Sequence, residues 1–286
     1  MRYQFIDSQA GQHPINLLCR VLAVSRAGYY AWRKRPPSQR TMANQKLQQA
    51  LWTVYDRSRQ TYGYRRVHAA VQSQIPCNHK RVARLLRGAG WQAKRSRRYR
   101  VTTQANPAHP VAPNRLAQVF VATQPDQIWL SDITYIRTGQ GWLYLAAILD
   151  LYTRRIVGWA MGKRLQADLT LKALQMALHQ RRPKEGLIHH SDRGSQYTSK
   201  EYQALLSRHK LLPSMSRAGN AYDNAPMESF FATLKTELVH HCRFETRQQA
   251  QAALFDFMEV FYNRQRLHST LGYRTPADFE SFFRTA

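Results

Sequence analysis

Apolar positions recur with two periods along the chain, and the change of period divides it. Up to about residue 90 the spacing is helical. Ile15, Leu18 and Leu22 share one face of a helix, Val24-Ser25-Arg26 breaks it, and Tyr29 and Trp32 lie on a second helix that runs into Arg33-Lys34-Arg35. Ser25 is a suitable N-cap for that second helix. A similar pair follows. A helix from Arg65 to Ser73 leads into the turn Pro76-Cys77-Asn78, where Asn78 can cap a helix from His79 to Arg87 that ends at Gly88 or Gly90. Val82, Leu85, Leu86 and Ala89 form the apolar face of this last helix, and Lys80, Arg84 and Arg87 lie on another. Both pairs read as helix-turn-helix-like.

Beyond residue 125 the pattern becomes strand-like. Ile128–Ile136, Trp142–Leu151 and Arg155–Met161 are rich in β-branched and aromatic residues, and the short spacers between them predict antiparallel hairpins. A helix from Ala167 to Arg181 follows, with Leu171, Leu174 and Leu178 in phase. Next come a short strand, Gly186–His190, a helix, Ser199–Lys210, a strand near Leu211–Met215, and a helix from Pro226 to about His241. The order β-β-β-α-β-α-β-α predicts a mixed sheet flanked by helices, preceded by an all-α region.

Charge follows the same division. Of the 286 residues, 43 are Lys or Arg and 17 are Asp or Glu, a net charge of +26. Residues 1–114 hold 21 of the cations and only Asp7 and Asp56, a net of +19, whereas residues 115–286 carry +7. Such a surplus points to a polyanion, and the predominance of Arg favours phosphate, which the guanidinium fork grips with two hydrogen bonds. Within the basic part, Lys80, Arg84 and Arg87, together with Arg95, Arg97 and Arg98 of the run Lys94–Arg100, are candidate DNA contacts. The bland alternative is a solvated basic face on a helical bundle. No apolar run approaches the roughly 18 residues of a membrane span. Cys19, Cys77 and Cys242 lie far apart, which speaks against a disulfide scaffold. The expected location is the cytoplasm, and no membrane is expected as a partner.

The acidic residues of the second part suggest chemistry. Asp132 lies within the first strand, Asp192 ends the fourth, and Glu228 sits in the first turns of the last core helix. Thirty-five residues separate Asp192 from Glu228. Spacing alone is weak, because Asp223 and Glu259 are spaced identically. Asp223, however, falls in a Gly/Asn loop suited to a turn or cap, and Glu259 reads as the solvent side of a core helix. Context therefore selects Asp132, Asp192 and Glu228. Carboxylates that converge repel one another unless divalent cations lie between them. Mg²⁺ suits such a set, because it takes oxygen ligands, keeps several waters and also binds phosphates. Two such ions can activate the attacking oxygen and stabilise the leaving one at phosphorus. Lys235 lies two helical turns after Glu228 on the same face, where it could hold a phosphate. Asp150 is a candidate supporting acid. His189-His190 and His240-His241-Cys242 lack zinc spacing and read as structural or solvated. Trp142 and Trp159 read as core.

Several stretches together resemble a known family. Trp129-Leu130-Ser131-Asp132-Ile133-Thr134-Tyr135-Ile136, His189-His190-Ser191-Asp192-Arg193-Gly194-Ser195-Gln196-Tyr197 and Glu228-Ser229-Phe230-Phe231-Ala232-Thr233-Leu234-Lys235 are similar to the second-frame (OrfB) transposases of the third bacterial insertion-sequence family. Gly28-Tyr29-Tyr30-Ala31-Trp32-Arg33, Tyr62-Gly63-Tyr64-Arg65-Arg66 and Tyr262-Asn263-Arg264-Gln265-Arg266-Leu267-His268 extend the resemblance over nearly the whole chain. It implies an RNase H-like, integrase-type core with a five-stranded mixed sheet. It also implies Asp132, Asp192 and Glu228 as catalytic metal ligands, Lys235 as a DNA contact, and two Mg²⁺ or Mn²⁺ ions per site. The implied reaction is DNA cleavage and strand transfer, with water or a DNA 3′-hydroxyl attacking a phosphodiester and no covalent protein intermediate. A homo-oligomer on transposon ends and target DNA is implied, as is a fusion or partnership with the upstream-frame product (OrfA). The alternatives are an RNase H-like nuclease that never joins strands and a DNA-binding regulator without catalysis. Ala221-Tyr222 departs from the Cys-Trp frequent in relatives, and the zinc-binding domain of retroviral integrases is missing. The expected division is 1–45 and 46–105 as helical DNA-binding regions, 106–124 as a linker, 125–242 as the catalytic core and 243–286 as its helical extension.

Overall fold

The computed structural model describes residues 1–94, 112–217 and 221–284. Residues Met1–Ala50 form one compact unit and Leu51–Ala286 a second.

In the first unit, α1 (Arg2–Gln9), α2 (Ile15–Val21) and α3 (Arg26–Lys34) gather around Ile6, Cys19 and Tyr29, with Tyr3, Ile15, Leu18, Leu22, Val24 and Trp32 packed at the margin. The Ser25 hydroxyl accepts from the Gly28 amide at 2.9 Å and caps α3 as its sequence suggested. The Tyr29 hydroxyl donates to Asp7 at 2.8 Å and ties α3 to α1. Helix α1 carries no apolar period in its sequence, because Ile6 is its one buried residue. Helix α4 (Gln39–Arg57) comes next in the chain.

In the second unit, α5 (Tyr64–Val71) and α6 (His79–Gly88) form the second helical pair. Asn78 caps α6 by accepting from the Lys80 amide at 2.8 Å. Val82 and Leu86 are buried, and Lys80, Arg84 and Arg87 are exposed. Among the described residues, no helix is long and apolar enough to cross a membrane.

The sheet runs β3-β2-β1-β4-β5. Strands β1 (Ile128–Thr138), β2 (Gly141–Asp150) and β3 (Ile156–Gly162) pair antiparallel, whereas β4 (Ile188–Ser191) and β5 (Leu212–Met215) join parallel. This is the RNase H-like arrangement. Helix α7 (Ala167–Arg181) occupies the span read from its Leu periodicity and covers β3 and β2. It approaches so closely that a Cβ on Gly158 would come within 2.4 Å of the Ala173 carbonyl oxygen, so only glycine fits there. Helix α8 (Lys200–Arg208) adds Tyr202 and Leu206 to the same core, with Trp129, Ile148 and Leu174. Helix α9 (Ala225–Glu237) packs on β1, and α10 (Arg247–Phe255) contacts both β1 and β2. Helix α10 continues as a π-helical stretch, Asp256–Tyr262, which local sequence did not announce, and α11 (Pro276–Arg284) closes the described chain.

Two motifs far apart in sequence meet at the end of α9. The Tyr62 hydroxyl accepts from the Leu267 amide at 2.7 Å and donates to the Gln265 carbonyl at 3.1 Å. Arg266 donates twice to the Glu237 carboxylate at 2.8 Å, and Arg66 approaches the same carboxylate at 3.4 Å.

Candidate active site

The topology brings three distant acids to one region. Strands β1 and β4 run parallel with Trp129 beside His189 and Leu130 beside His190, and the same offset continued puts Asp132 level with Asp192 just past the end of β4. The β1–β4 ladder ends at Leu130 and His190, two residues before the two acids. Glu228 enters from the first turn of α9, with Pro226 also in that turn. Asn224, which precedes α9, donates from Nδ2 to the Ser131 carbonyl at 3.1 Å and pins the helix start to β1 beside Asp132. Asn224 was not singled out from sequence. It reads locally as an N-cap, but its side chain makes no cap hydrogen bond and reaches across to the sheet instead.

The electrostatic coupling of the site centres on Asp132. Burial, then the neighbouring Asp192, and more weakly Glu228, push the Asp132 carboxyl up to about 8, against the Ile133 amide that donates to it at 2.7 Å and the charge of Lys235. Burial raises Asp192 too, opposed by the Gly194 amide at 2.9 Å. A Cβ on Gly194 would lie 3.0 Å from the Asp192 carboxylate oxygen, so a side chain there would crowd the acid. Burial likewise raises Glu228. Burial lowers Lys235, and Tyr135 and Asp132 partly oppose that. Its ammonium lies 5.5 Å from the centre of the Tyr135 ring.

Three family models match the chain. An integrase core domain model matches residues 122–221, a second integrase core model residues 228–282, and an HTH-like domain model residues 42–99. The chain is 43% identical over 284 residues to the transposase InsF of insertion sequence IS3A from Escherichia coli K12, covering 98% of this chain and 99% of the relative. The chain belongs to the insertion-sequence transposase family. An insertion element IS600 protein of 31 kDa from Shigella sonnei is 48% identical, with 92% of this chain and 97% of that one covered. Among solved structures, the HTLV-2 integrase catalytic core domain in complex with magnesium aligns with a TM-score of 0.43 at 16% identity, covering 56% of this chain and 99% of that one. As a transposase with an integrase core, the chain is an enzyme that acts on DNA.

Other acids of this transposase have structural work. Asp223 is fully buried and accepts from the Arg217 amide and guanidinium at 2.8–3.1 Å, from Asn114 at 3.0 Å and from Gln118 at 3.0 Å. The Arg217 hydrogen bond, which outweighs burial, holds its carboxyl well below the usual range. Glu259 does not face solvent freely as its place in the helix pattern suggested, because it accepts from the Trp159 indole at 2.7 Å. Asp150 organises the β2–β3 turn by accepting from the Thr153 amide at 2.7 Å and hydroxyl at 2.9 Å, and from the Asp126 amide at 2.6 Å. Its register partner is Trp129, three residues before Asp132, so it reads as a turn acid and not as support for the site. Trp142 is not core: it lies 46% exposed next to Gly141 at the tip of the β1–β2 hairpin. Arg95, Arg97 and Arg98 lie outside the described residues.

His189 and His190 are structural. His189 shares a hydrogen bond with the Tyr202 hydroxyl at 3.1 Å, and His190 shares two, with Ser214 at 2.8 Å and Ser216 at 3.1 Å. Burial holds them neutral, lowering His189 to about 3 and His190 to about 4. The unfolded chain takes up both protons near pH 6.5. Stability is therefore complete above that pH and falls as the pH drops toward 4. In the Asp132→Asn variant, which removes the opposite titration of the raised Asp132 carboxyl, thermal unfolding should show the melting temperature declining from pH 6.5 downward, before ordinary carboxylates titrate. A melting temperature flat between pH 6.5 and 5 would contradict this.

Proposed function

We propose that this transposase catalyses divalent-metal-dependent cleavage and strand transfer of DNA at Asp132, Asp192 and Glu228. The observation that carries the reading is the meeting of Asp132 on β1, level with Asp192 past the end of β4, with Glu228 in the first turn of α9, where burial first and the two other acids after it raise the Asp132 carboxyl. Groups whose ionisation is suppressed by their neighbours mark sites built to receive positive charge. The donor set is all oxygen. Among the described residues, no three His, Cys, Asp or Glu side chains are drawn together tightly enough to hold a metal ion as they stand. An open set fits Mg²⁺ or Mn²⁺, which would complete its shell with water and DNA phosphate oxygens. When bound, such ions, two per site in this reading, would lower the barrier at phosphorus by polarising the phosphodiester and the attacking oxygen.

The chain's own residues orient the DNA. Asp132 presents its carboxylate from β1 and Asp192 from just past the end of β4, with single oxygens held by the Ile133 and Gly194 amides. Lys235 offers a cation two turns along α9 from Glu228, placed for a phosphate beside the one attacked. Lys80, Arg84 and Arg87 on exposed α6 would grip backbone phosphates, joined by Arg95, Arg97 and Arg98. The working division remains two helical DNA-binding regions (1–45, 46–105), a linker (106–124), a catalytic core (125–242) and a helical extension (243–286). A homo-oligomer bridging two element ends, with the upstream-frame product fused or added, would act in the bacterial cytoplasm at the nucleoid.

The deciding experiment supplies pre-cleaved element ends and target DNA with Mg²⁺ or Mn²⁺, with and without the upstream-frame product. Joined product is expected. Cleavage without joining in either arm would establish the nuclease reading, and DNA binding without any cleavage the regulator. Binding should also weaken steeply with salt. Replacing Lys80, Arg84 and Arg87 together with Ala should flatten the log–log salt slope by up to about 3, roughly one per lost phosphate contact. An unchanged slope would remove α6 from the DNA interface.

A further inference from the structure

The β1–β2 hairpin ends in an aromatic corner that the reaction does not use. Tyr135 is 40% exposed and Trp142 is 46% exposed, although both are large rings in regular strands. Their centroids lie 5.0 Å apart at 85°, so one ring presents its edge to the face of the other. Cations surround them. Lys235 lies over the Tyr135 ring, exposed Arg137 is the register partner of Trp142, and Arg247 donates to the Trp142 carbonyl at 3.1 Å. Tyr135 is three residues after Asp132 on the same strand, about 10 Å along it and on the strand's exposed face, opposite to that of Asp132. Lys235 connects the two places, since it feels the charge of Asp132 and the ring of Tyr135 together.

We propose that Tyr135 and Trp142 form a stacking platform for an unpaired nucleobase next to the reacting phosphodiester. The inference rests on the proposed active site for its position. Exposed rings among cations suit single-stranded nucleic acid, because each base offers a π-face and each phosphate a negative charge. A base within a duplex is already stacked, so the platform favours frayed or unpaired DNA, where unstacking has little left to cost. The occupant is set by charge. An apolar protein partner would have to cover Arg137 and Lys235, whereas a nucleotide satisfies both ring and cation.

The test uses the full chain and two DNA probes of matched duplex sequence. One probe is blunt, and the other carries a short unpaired tail with a single 2-aminopurine. The wild type should bind the tailed probe more tightly and quench its fluorescence. Trp142→Val, which keeps a strand-forming residue and removes the ring, should weaken tailed binding about 5- to 100-fold and abolish quenching. Blunt binding should change less than about twofold, the size of a near-neutral surface change. Trp142→Phe should restore tailed binding, and Tyr135→Ala should reproduce the loss. Equal weakening on both probes, or no weakening, overturns the proposal. So does a Trp142→Val chain whose sedimenting mass falls, since the corner is then a contact between copies. Asp132→Asn should still quench the tail. A wild type that quenches but never joins strands refutes the catalytic reading and leaves the platform standing.

Discussion

Asp132→Asn should abolish strand transfer while making the metal-free protein more stable. Burial together with Asp192 and Glu228 opposes ionisation of Asp132 in the folded state, and the unfolded chain has no such opposition. A carboxyl whose folded pKa is raised destabilises the fold most above that raised value, about 8 for Asp132, and the penalty shrinks as the pH falls through it until the unfolded chain is protonated too. At neutral pH the amide, which never ionises, removes the cost of suppressing that ionisation on folding, and the melting temperature should rise by a few degrees. Activity should fall by about 10³-fold or more, equivalent to several kcal/mol of lost transition-state stabilisation. A third readout separates the causes. Mg²⁺ or Mn²⁺ should raise the melting temperature of the wild type, because a ligand that binds only the native state stabilises it, and the variant should lose that rise. DNA binding, carried by other residues, should be nearly unchanged. Retained strand transfer in Asp132→Asn would remove Asp132 from the reaction.

The trade of stability for reactivity explains which parts of the molecule could be read from sequence. Regular elements with one buried face announced themselves. Helix α7 spans Ala167–Arg181, as its leucines predicted, and both capped turns, at Ser25 and Asn78, form as their residue types require. Helix α1 and the π-helical Asp256–Tyr262 did not, the first for want of an apolar stripe and the second because its register change has no local signature. The acids needed context. Asp223 and Glu259 match the spacing of Asp192 and Glu228, but partners absent from any local window hold them, Asn114 and Gln118 for the one and Trp159 for the other. Trp142 lies outside the core that its apolar context suggests for a related reason. Alternation marks which face of a strand a residue takes, but not whether a helix covers that face at the hairpin tip.

Long-range ion pairing was the least legible feature, and it supports the second large effect. Glu237 closes α9, the helix that carries Glu228 and Lys235, and is 7% exposed. Its carboxylate receives both arms of Arg266, itself 5% exposed, with Arg66 of the helical pair alongside. Nothing in Tyr62-Gly63-Tyr64-Arg65-Arg66 or Tyr262-Asn263-Arg264-Gln265-Arg266-Leu267-His268 predicts that they meet, since neither has a period and some 200 residues separate Tyr62 from its partners Gln265 and Leu267. Removing one member of a buried pair strands the charge of the other, at a cost of about 3–5 kcal/mol. Glu237→Ala should therefore lower the melting temperature by roughly 6–20 °C at 2–4 °C per kcal/mol. Glu237→Gln, which keeps one acceptor and some hydrogen bonding, should fall between. Replacing the pair together, as Glu237→Leu with Arg266→Met, should recover most of the loss, because two apolar side chains leave no buried charge unpaired. Strand transfer should not recover with stability if the pair also sets the end of α9, and that split between melting and activity is the informative measurement. A Glu237→Ala chain within about 1 kcal/mol of wild type would mean that the pair is as dispensable as an ordinary surface salt bridge.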